Sequence, residues 1–403
     1  MKCEKIESGV WECYAEGPRD PVTNKRNQVR RRDKSKSVAK KKVSDEIKAL
    51  EEGYKTRAGK TSTFEQVAEE WLKVYSLSNI KENTIRSRLC SLKILFKSIK
   101  DVRIANIDSR TLQNILIDMN NQNYSLSAME NVKVTAGMIF TYAEMHRMIR
   151  ENPIKFVKTP RRATTVEEIE NTDIEEIFLE RDELEVFLKT AIKFGLPLDQ
   201  ERFFLMAFTG MRVGELCALK WKDINFDSNE IRITKTMYMP NNNMRNFKLT
   251  PPKTKKSIRT IDLDVEIMQM LKKHKVSQAK IRLSRKRMIA DYHEGDFVFC
   301  HDNGYPYSQR NIYDRIVSVL KKSGIGKIRG PHILRHTHIT LLVEASVDLK
   351  TIMDRVGHED SKTTYNIYTH VTERMKKDAT EKMKNRFGDL MELSNLPKTK
   401  GNM

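Results

Sequence analysis

The sequence predicts a multidomain, mainly α protein. A small β-sheet-plus-helix module comes first, an all-helical domain second and a mixed α+β domain third. Three observations carry this reading. The chain has 403 residues, enough for two or three hydrophobic cores. Apolar residues recur at helical spacing through the middle of the chain, as in Phe64, Val67, Ala68, Trp71, Leu72 and Tyr75. Alternation with period two is confined to short runs, one near the start and one around Ile231 and Ile233.

Residues 1–56 make the first module. Val10-Trp11-Glu12-Cys13-Tyr14-Ala15-Glu16 reads as a strand, Gly17-Pro18-Arg19-Asp20-Pro21 as a turn, and residues 25–32 as a second, basic strand. Ser37 reads as the cap of a helix from 38 to about 52. Trp11, Tyr14 and the apolar face of that helix supply a small core. Residues 54–61 link it to the helical domain, 62–157. There Ser62, with Glu65 three residues on, matches a capping box. Asn83 opens a second helix that reaches Ile99. Asp108 or Ser109 caps a third, and Ser125 starts a fourth that reaches Met148.

Residues 158–173, polar and acidic after Arg161 and Arg162, read as a connector. Residues 174–387 form the third domain. Helices are expected at 179–194 and 201–208. Strands are expected around Ile231 and Ile233 and at 257–263, separated by an asparagine-rich loop at 239–248. A long basic helix follows at 265–289, then a short strand at Phe297-Val298-Phe299. Helical segments close the domain at 309–322, 331–344, 349–356 and 362–384, and residues 388–403 form a tail.

The balance of charge narrows the partners. The net charge is +20 and the isoelectric point is near 9.6. An excess of that size suits an extended polyanion, nucleic acid ahead of membrane. The first 60 residues alone carry 17 Lys and Arg against 10 Asp and Glu. The five cysteines (Cys3, Cys13, Cys90, Cys217, Cys300) are odd in number and lack paired metal-type spacing, so reduced thiols are expected. The first residues lack the apolar run of a signal peptide, and no stretch approaches about 20 apolar residues. The expected location is the cytoplasm.

One widely spaced constellation specifies a chemistry. Arg212 sits in Thr209-Gly210-Met211-Arg212-Val213-Gly214-Glu215, and Lys253 in Pro252-Lys253-Thr254-Lys255. His332 and Arg335 sit in Pro331-His332-Ile333-Leu334-Arg335-His336. His358 follows Gly357, and Tyr368 ends Tyr365-Asn366-Ile367-Tyr368. Two arginines, a lysine and two histidines can hold one anionic phosphate, and a tyrosine can attack it. Arginine stays cationic and offers a planar fork of donors matched to phosphate oxygens. A lysine can give its proton to a leaving oxygen. Glu215, one turn after Arg212, can orient the basic cluster.

The order, contexts and spacings of these segments resemble the tyrosine recombinase family, which includes phage and conjugative-element integrases. Lys253 to Ile261, a Lys-Thr-x-x-Ser-x-Arg-x-Ile run, resembles the family's β-hairpin lysine segment, with Lys255 and Lys256 as nearby competitors. The Asn-Ile-Tyr-Thr-His ending resembles the family's nucleophile segment and favours Tyr368 over Tyr365. The resemblance covers most of the chain, strongest from 205 to 372.

That resemblance implies an arm-type DNA-binding domain at 1–56, a core-binding domain at 62–157 and a catalytic domain at 174–387. It implies a site-specific recombinase that integrates and excises a mobile element. Tyr368 would form a 3′-phosphotyrosine, Arg212, Arg335 and His358 would hold the phosphate, Lys253 would protonate the leaving 5′ oxygen, and His332 would hydrogen-bond the phosphate or help deprotonate the tyrosine, with Glu215 in support. No metal, nucleotide or other cofactor is expected. The partners implied are double-stranded DNA at core and arm sites and three further copies of the chain at a Holliday junction. An excisionase and a host DNA-bending protein are candidate accessories. Arg30, Arg31, Arg32, Arg86, Arg88 and Lys93 are candidate DNA contacts. The basic segment 373–387 is expected to dock on a neighbouring protomer. Rival readings are a type IB topoisomerase, a DNA-binding regulator that does not cut, and a metal-dependent nuclease. His332, His336 and His338 have a spacing that can bind zinc, but no Glu follows as in a zinc protease, and no metal is assigned.

Overall fold

The structure, a computed structural model, describes residues 1–6, 9–18, 27–51, 62–78, 80–160, 177–252, 255–357 and 364–372, with single positions at 375, 383 and 386. The chain divides into two units, Met1–Thr164 and Thr165–Met403. In the first, β1 (Lys2–Lys5), β2 (Trp11–Gly17) and β3 (Asn27–Asp33) pair antiparallel in that order. Helix α1 (Lys36–Glu51) packs on the sheet over Cys13, Val29, Ala39 and Val43. β1 carries too little apolar alternation to be read in advance. The helix starts earlier than Ser37, because the Ser35 carbonyl already accepts from the Ala39 N–H.

The cysteine expectation is corrected here. Cys3 and Cys13 stand opposite each other in the β1–β2 register, and their sulfurs are bonded. Strand pairing, which residue spacing does not reveal, brings them together. Cys90, Cys217 and Cys300 are free thiols.

Four helices follow: α2 (Phe64–Leu77), α3 (Glu82–Ile99), α4 (Ser109–Asn121) and α5 (Leu126–Met145). The starts of α2, α4 and α5 are fixed by side chains that take up otherwise unpaired first N–H groups. Asp108 accepts from Thr111 N, and Ser125 from Ala128 N. The first capping box is made by Thr63 with Gln66, one residue later than Ser62 with Glu65. The apolar stripes meet around Phe64, Leu95, Leu116 and Phe140, with the Phe64 and Phe140 rings 5.7 Å apart. Each such buried side chain contributes about 1.5–3 kcal/mol.

The second unit holds α6 (Arg181–Phe194), α7 (Asp199–Thr209) and a short α8 (Val213–Ala218). A small antiparallel sheet has the order β4 (Ile224–Asn225), β5 (Glu230–Ile233), β8 (Arg259–Asp262). A hairpin of β6 (Thr236–Tyr238) and β7 (Lys248–Thr250) carries the asparagine-rich loop. Then come α9 (Val265–Met288), α10 (Gln309–Ser323), α11 (His332–Glu344), α12 (Leu349–Val356) and a helical stretch, α13, at 364–372. Phe297, Val298 and Phe299 are fully buried but form no strand. Single bridges at Lys220–Phe297 and Cys300–Pro306 flank them, and His274 Nε2 lies 2.6 Å from the Val298 carbonyl. The connector after residue 160 and nearly all of the 373–387 segment lie outside the described residues. Among the described residues no helix is long and apolar enough to cross a membrane.

Candidate active site

The site begins where α7 stops. Gly210 ends that helix in the left-handed region (φ 61°), and a Cβ there would lie 2.7 Å from the His338 ring. The chain turns at once into α8, with Arg212 just before its first residue. Glu215 closes this turn: Oε2 accepts from the Arg212 N–H at 2.9 Å, and Oε1 from Arg212 Nη1 at 3.0 Å. From the sequence, Glu215 is expected to orient the basic cluster, and these are the two contacts that its carboxylate makes to Arg212. The carboxylate is buried, whereas about a third of the Arg212 side chain (34%) is exposed.

Helix α11 supplies His332 in its first turn and Arg335 one turn on. Arg335 is only 1% exposed. Its Nη1 donates to the Gly210 carbonyl at 2.5 Å and its Nη2 to the Val356 carbonyl at 2.6 Å. Val356 is the last residue of α12, which Gly357 caps in the left-handed region (φ 67°). Arg212 Nη2 donates to the Gly357 carbonyl at 3.0 Å. The two arginines thus meet at the C-terminus of α12, where unpaired carbonyls and the helix dipole favour cations.

A third arginine joins them. In the β5–β8 register Arg259 stands opposite Ile233, on the face shared with Ile231 and Ile261. It is buried, and its Nε donates to the Arg355 carbonyl at 2.7 Å. Its fork grips Glu215, with Nη2–Oε2 at 2.9 Å and Nη1–Oε1 at 3.2 Å. Arg259 lies in the Lys253–Ile261 run, and the sequence reading assigns it no role. Its signal was available: an arginine at an inward position of a strand needs a buried anion.

The electrostatics follow from this packing. Burial works to raise the Glu215 pKa. The hydrogen bond and charge of Arg259, and then Arg212, overcome it and hold the carboxylate below its ordinary range. Burial, then the charge of Arg212, pushes Arg335 well below the usual guanidinium value, with Glu215 opposing. Protein packed around the His332 ring, then Arg335 and Arg212, lowers that histidine. His338 faces the other way, with Nδ1 on the Ala207 carbonyl and Nε2 meeting Arg355 Nε, so it does not join His332 and His336. Among the described residues no group of His, Cys, Asp and Glu is arranged to hold a metal ion.

Tyr368, half-buried on α13, packs against the cluster of Ile339, Val343, Ile352 and Val356 that α11 and α12 build. Tyr365, its competitor, is 55% exposed. Lys253 and His358 lie outside the described residues. In the first unit, Arg30 and Arg32 share Glu12, and Arg30 lies over the Tyr14 ring. Arg31 turns to the other face and pairs with Glu46 of α1. Arg86 and Lys93 are exposed on α3, whereas Arg88 reaches across to Thr135 of α5 at 3.3 Å.

The fold and the sequence relatives make this chain a tyrosine-type site-specific recombinase. The chain belongs to the phage integrase family. That family's model matches residues 177–375, and the phage integrase central domain matches 64–159. A probable integrase of prophage ps2 from Lactococcus lactis subsp. lactis (strain IL1403) is 32% identical over 392 residues, covering 93% of this chain and 97% of the relative. Two solved structures share the fold. The Tn1549 transposon integrase in complex with transposon right end DNA has a TM-score of 0.62 at 22% identity, over 80% of this chain and 99% of that one. A lambda integrase tetramer bound to a Holliday junction has a TM-score of 0.52 at 16% identity, over 89% and 95%.

Proposed function

We propose that this recombinase integrates and excises a mobile element by cutting and rejoining duplex DNA at attachment sites, with Tyr368 as nucleophile. The convergence of Arg212 and Arg335 at the end of α12, beside Glu215, carries this reading. A phosphodiester already bears one negative charge and gains a second as an oxygen attacks it. Two cationic forks aimed at the nonbridging oxygens oppose that rise. The Tyr368 hydroxyl attacks phosphorus, the bond to the 5′ oxygen breaks, and a 3′-phosphotyrosine and a 5′ hydroxyl result. Lys253 gives the departing oxygen its proton, and His332 accepts the tyrosine's. His358 donates to a phosphate oxygen. The 5′ hydroxyl of a partner strand then attacks the phosphotyrosine, so the bond energy is conserved without ATP.

The same reading assigns the remaining parts. Residues 1–56 bind arm-type sites, with Arg30 and Arg32 on the exposed sheet face. Residues 62–157 bind core sites, with Arg86 and Lys93 exposed towards phosphates. Four copies act on two duplexes through a Holliday junction, a reading supported by the likeness to the lambda tetramer. An excisionase and a host DNA-bending protein set direction and geometry. The protein works in the cytoplasm, on the nucleoid, where its substrate lies.

The test is a nicked duplex from the element's own ends, incubated with the protein in chelator and run on a denaturing gel. The expected result is a covalent adduct that disappears in Tyr368→Phe and persists in Tyr365→Phe. Tight binding with no adduct would leave a regulator that does not cut.

A further inference from the structure

We propose that Arg259 is a positioning residue for the cleavage step, neutralising Glu215 so that Arg212 keeps its charge for the phosphate. The inference rests on the reading of Arg212 as a phosphate clamp. Both oxygens of Glu215 are used twice. Oε1 takes Arg212 Nη1 and Arg259 Nη1, and Oε2 takes the Arg212 N–H and Arg259 Nη2. One carboxylate therefore orients one arginine while its charge is met by the other. The geometry separates the two: the side chain of Arg259 is 5% exposed and that of Arg212 is 34% exposed. Arg259 is the inward partner and Arg212 the one that faces out.

Counting charge shows why this matters. Arg212, Arg259 and Arg335 together with Glu215 carry a surplus of two positive charges. The five-coordinate phosphorus of a diester carries two negative charges. Without Arg259, Glu215 would neutralise Arg212 and halve that surplus. Arg259 also holds the turn itself. It donates to the Arg355 carbonyl, beside the carbonyls of Val356 and Gly357 that take Arg335 and Arg212. Three arginines from three elements thus fix three successive carbonyls of the segment leading to residue 358.

The experiment measures single-turnover adduct formation and DNA affinity for the full-length protein on a nicked crossover-site duplex. Arg259→Met should slow cleavage by tens of fold with DNA affinity changed less than about threefold. Removing the stranded carboxylate should then help: compared at equal folded fraction, the double variant Arg259→Met/Glu215→Gln should cleave faster than Arg259→Met alone, which a purely structural role does not predict. Cleavage at the wild-type rate in Arg259→Met, or a double variant no faster than Arg259→Met, overturns the proposal. Should Arg259→Met lack a cooperative melting transition, Arg259→Lys serves. It keeps the positive charge beside Glu215 and loses only the fork, so cleavage should stay within about threefold of wild type, and a loss of tens of fold overturns the proposal. Arg212→Lys is run beside them. If it cleaves normally, the clamp reading fails; if it is slow while Arg259→Met is not, only the present inference fails.

Discussion

Arg335 and Arg212 end on adjacent carbonyls, Arg335 on Val356 at 2.6 Å and Arg212 on Gly357 at 3.0 Å. The C-terminus of α12 therefore sets the spacing of two guanidinium groups that come from helices far apart in sequence. Arg335 also reaches back to Gly210, two residues before Arg212. One buried side chain ties α7, α11 and α12 to a single point.

Arg335→Lys should therefore fail although charge is conserved. An ammonium is a compact charge and cannot hold the Gly210 and Val356 carbonyls in one plane. Cleavage should fall on the order of a hundred-fold or more. Single-turnover kinetics on a nicked duplex check this, and near-normal rates would show that the fork geometry is dispensable.

Gly210→Ala should destabilise the catalytic domain. The added Cβ meets a left-handed backbone and a ring atom of His338 at 2.7 Å. The two costs together are about 2–4 kcal/mol. The midpoint of urea unfolding reads the change. An unshifted midpoint would mean that the turn relaxes freely.

Acid should weaken the fold through two histidines. Burial lowers His336 from 6.5 to about 4 and His338 from 6.5 to about 3. Their folded pKa values lie below the unfolded ones, so their contribution is full above about pH 6.5 and is lost as pH falls towards 4 and then 3. The melting temperature should hold between pH 8 and 7 and decline below 6.5. His338→Gln can reproduce the contacts to Ala207 and Arg355 without titrating, and should flatten the decline between pH 6.5 and 5. An unchanged slope would assign the effect elsewhere.

Reduction should loosen the N-terminal module. The Cys3–Cys13 bond closes a short loop over a core of few residues, Cys13, Val29, Ala39 and Val43. Chain-entropy reasoning gives about 2–3 kcal/mol for a loop of this size. In the full-length protein, reductant or Cys13→Ser should speed proteolysis within the first 51 residues and leave the rest unchanged. Equal cleavage with and without reductant would argue against a role for the bond.

Much of the site was legible because its signals are local. Arg212 and Glu215 are three residues apart at a helix start, and His332 and Arg335 share one helical turn. Periodicity and capping residues set the bounds of α6, α10 and α12 within a residue or two of expectation. Local signals also misled where two readings compete. Ser62 and Thr63 both precede a residue that can complete a capping box, and with the helix starting at Phe64 it is Thr63 that pairs with Gln66. Three consecutive apolar residues at 297–299 look like a buried strand, but Phe297 makes only a single bridge, to Lys220, and no ladder extends from it.

The sequence by itself determined the kinds of chemical groups, their order and the helices that bear them. Tertiary structure alone decided which groups share a partner. Arg259 meets Glu215 across 44 residues and Arg212 meets Gly357 across 145. Arg31 parts from Arg30 and Arg32 only once β2 and β3 pair, and Cys3 finds Cys13 only when β1 adds to the sheet. The reason is physical. Helix formation and capping are satisfied within a few residues. A buried charge must be satisfied by whatever the fold brings beside it, and no spacing in the chain records that neighbour.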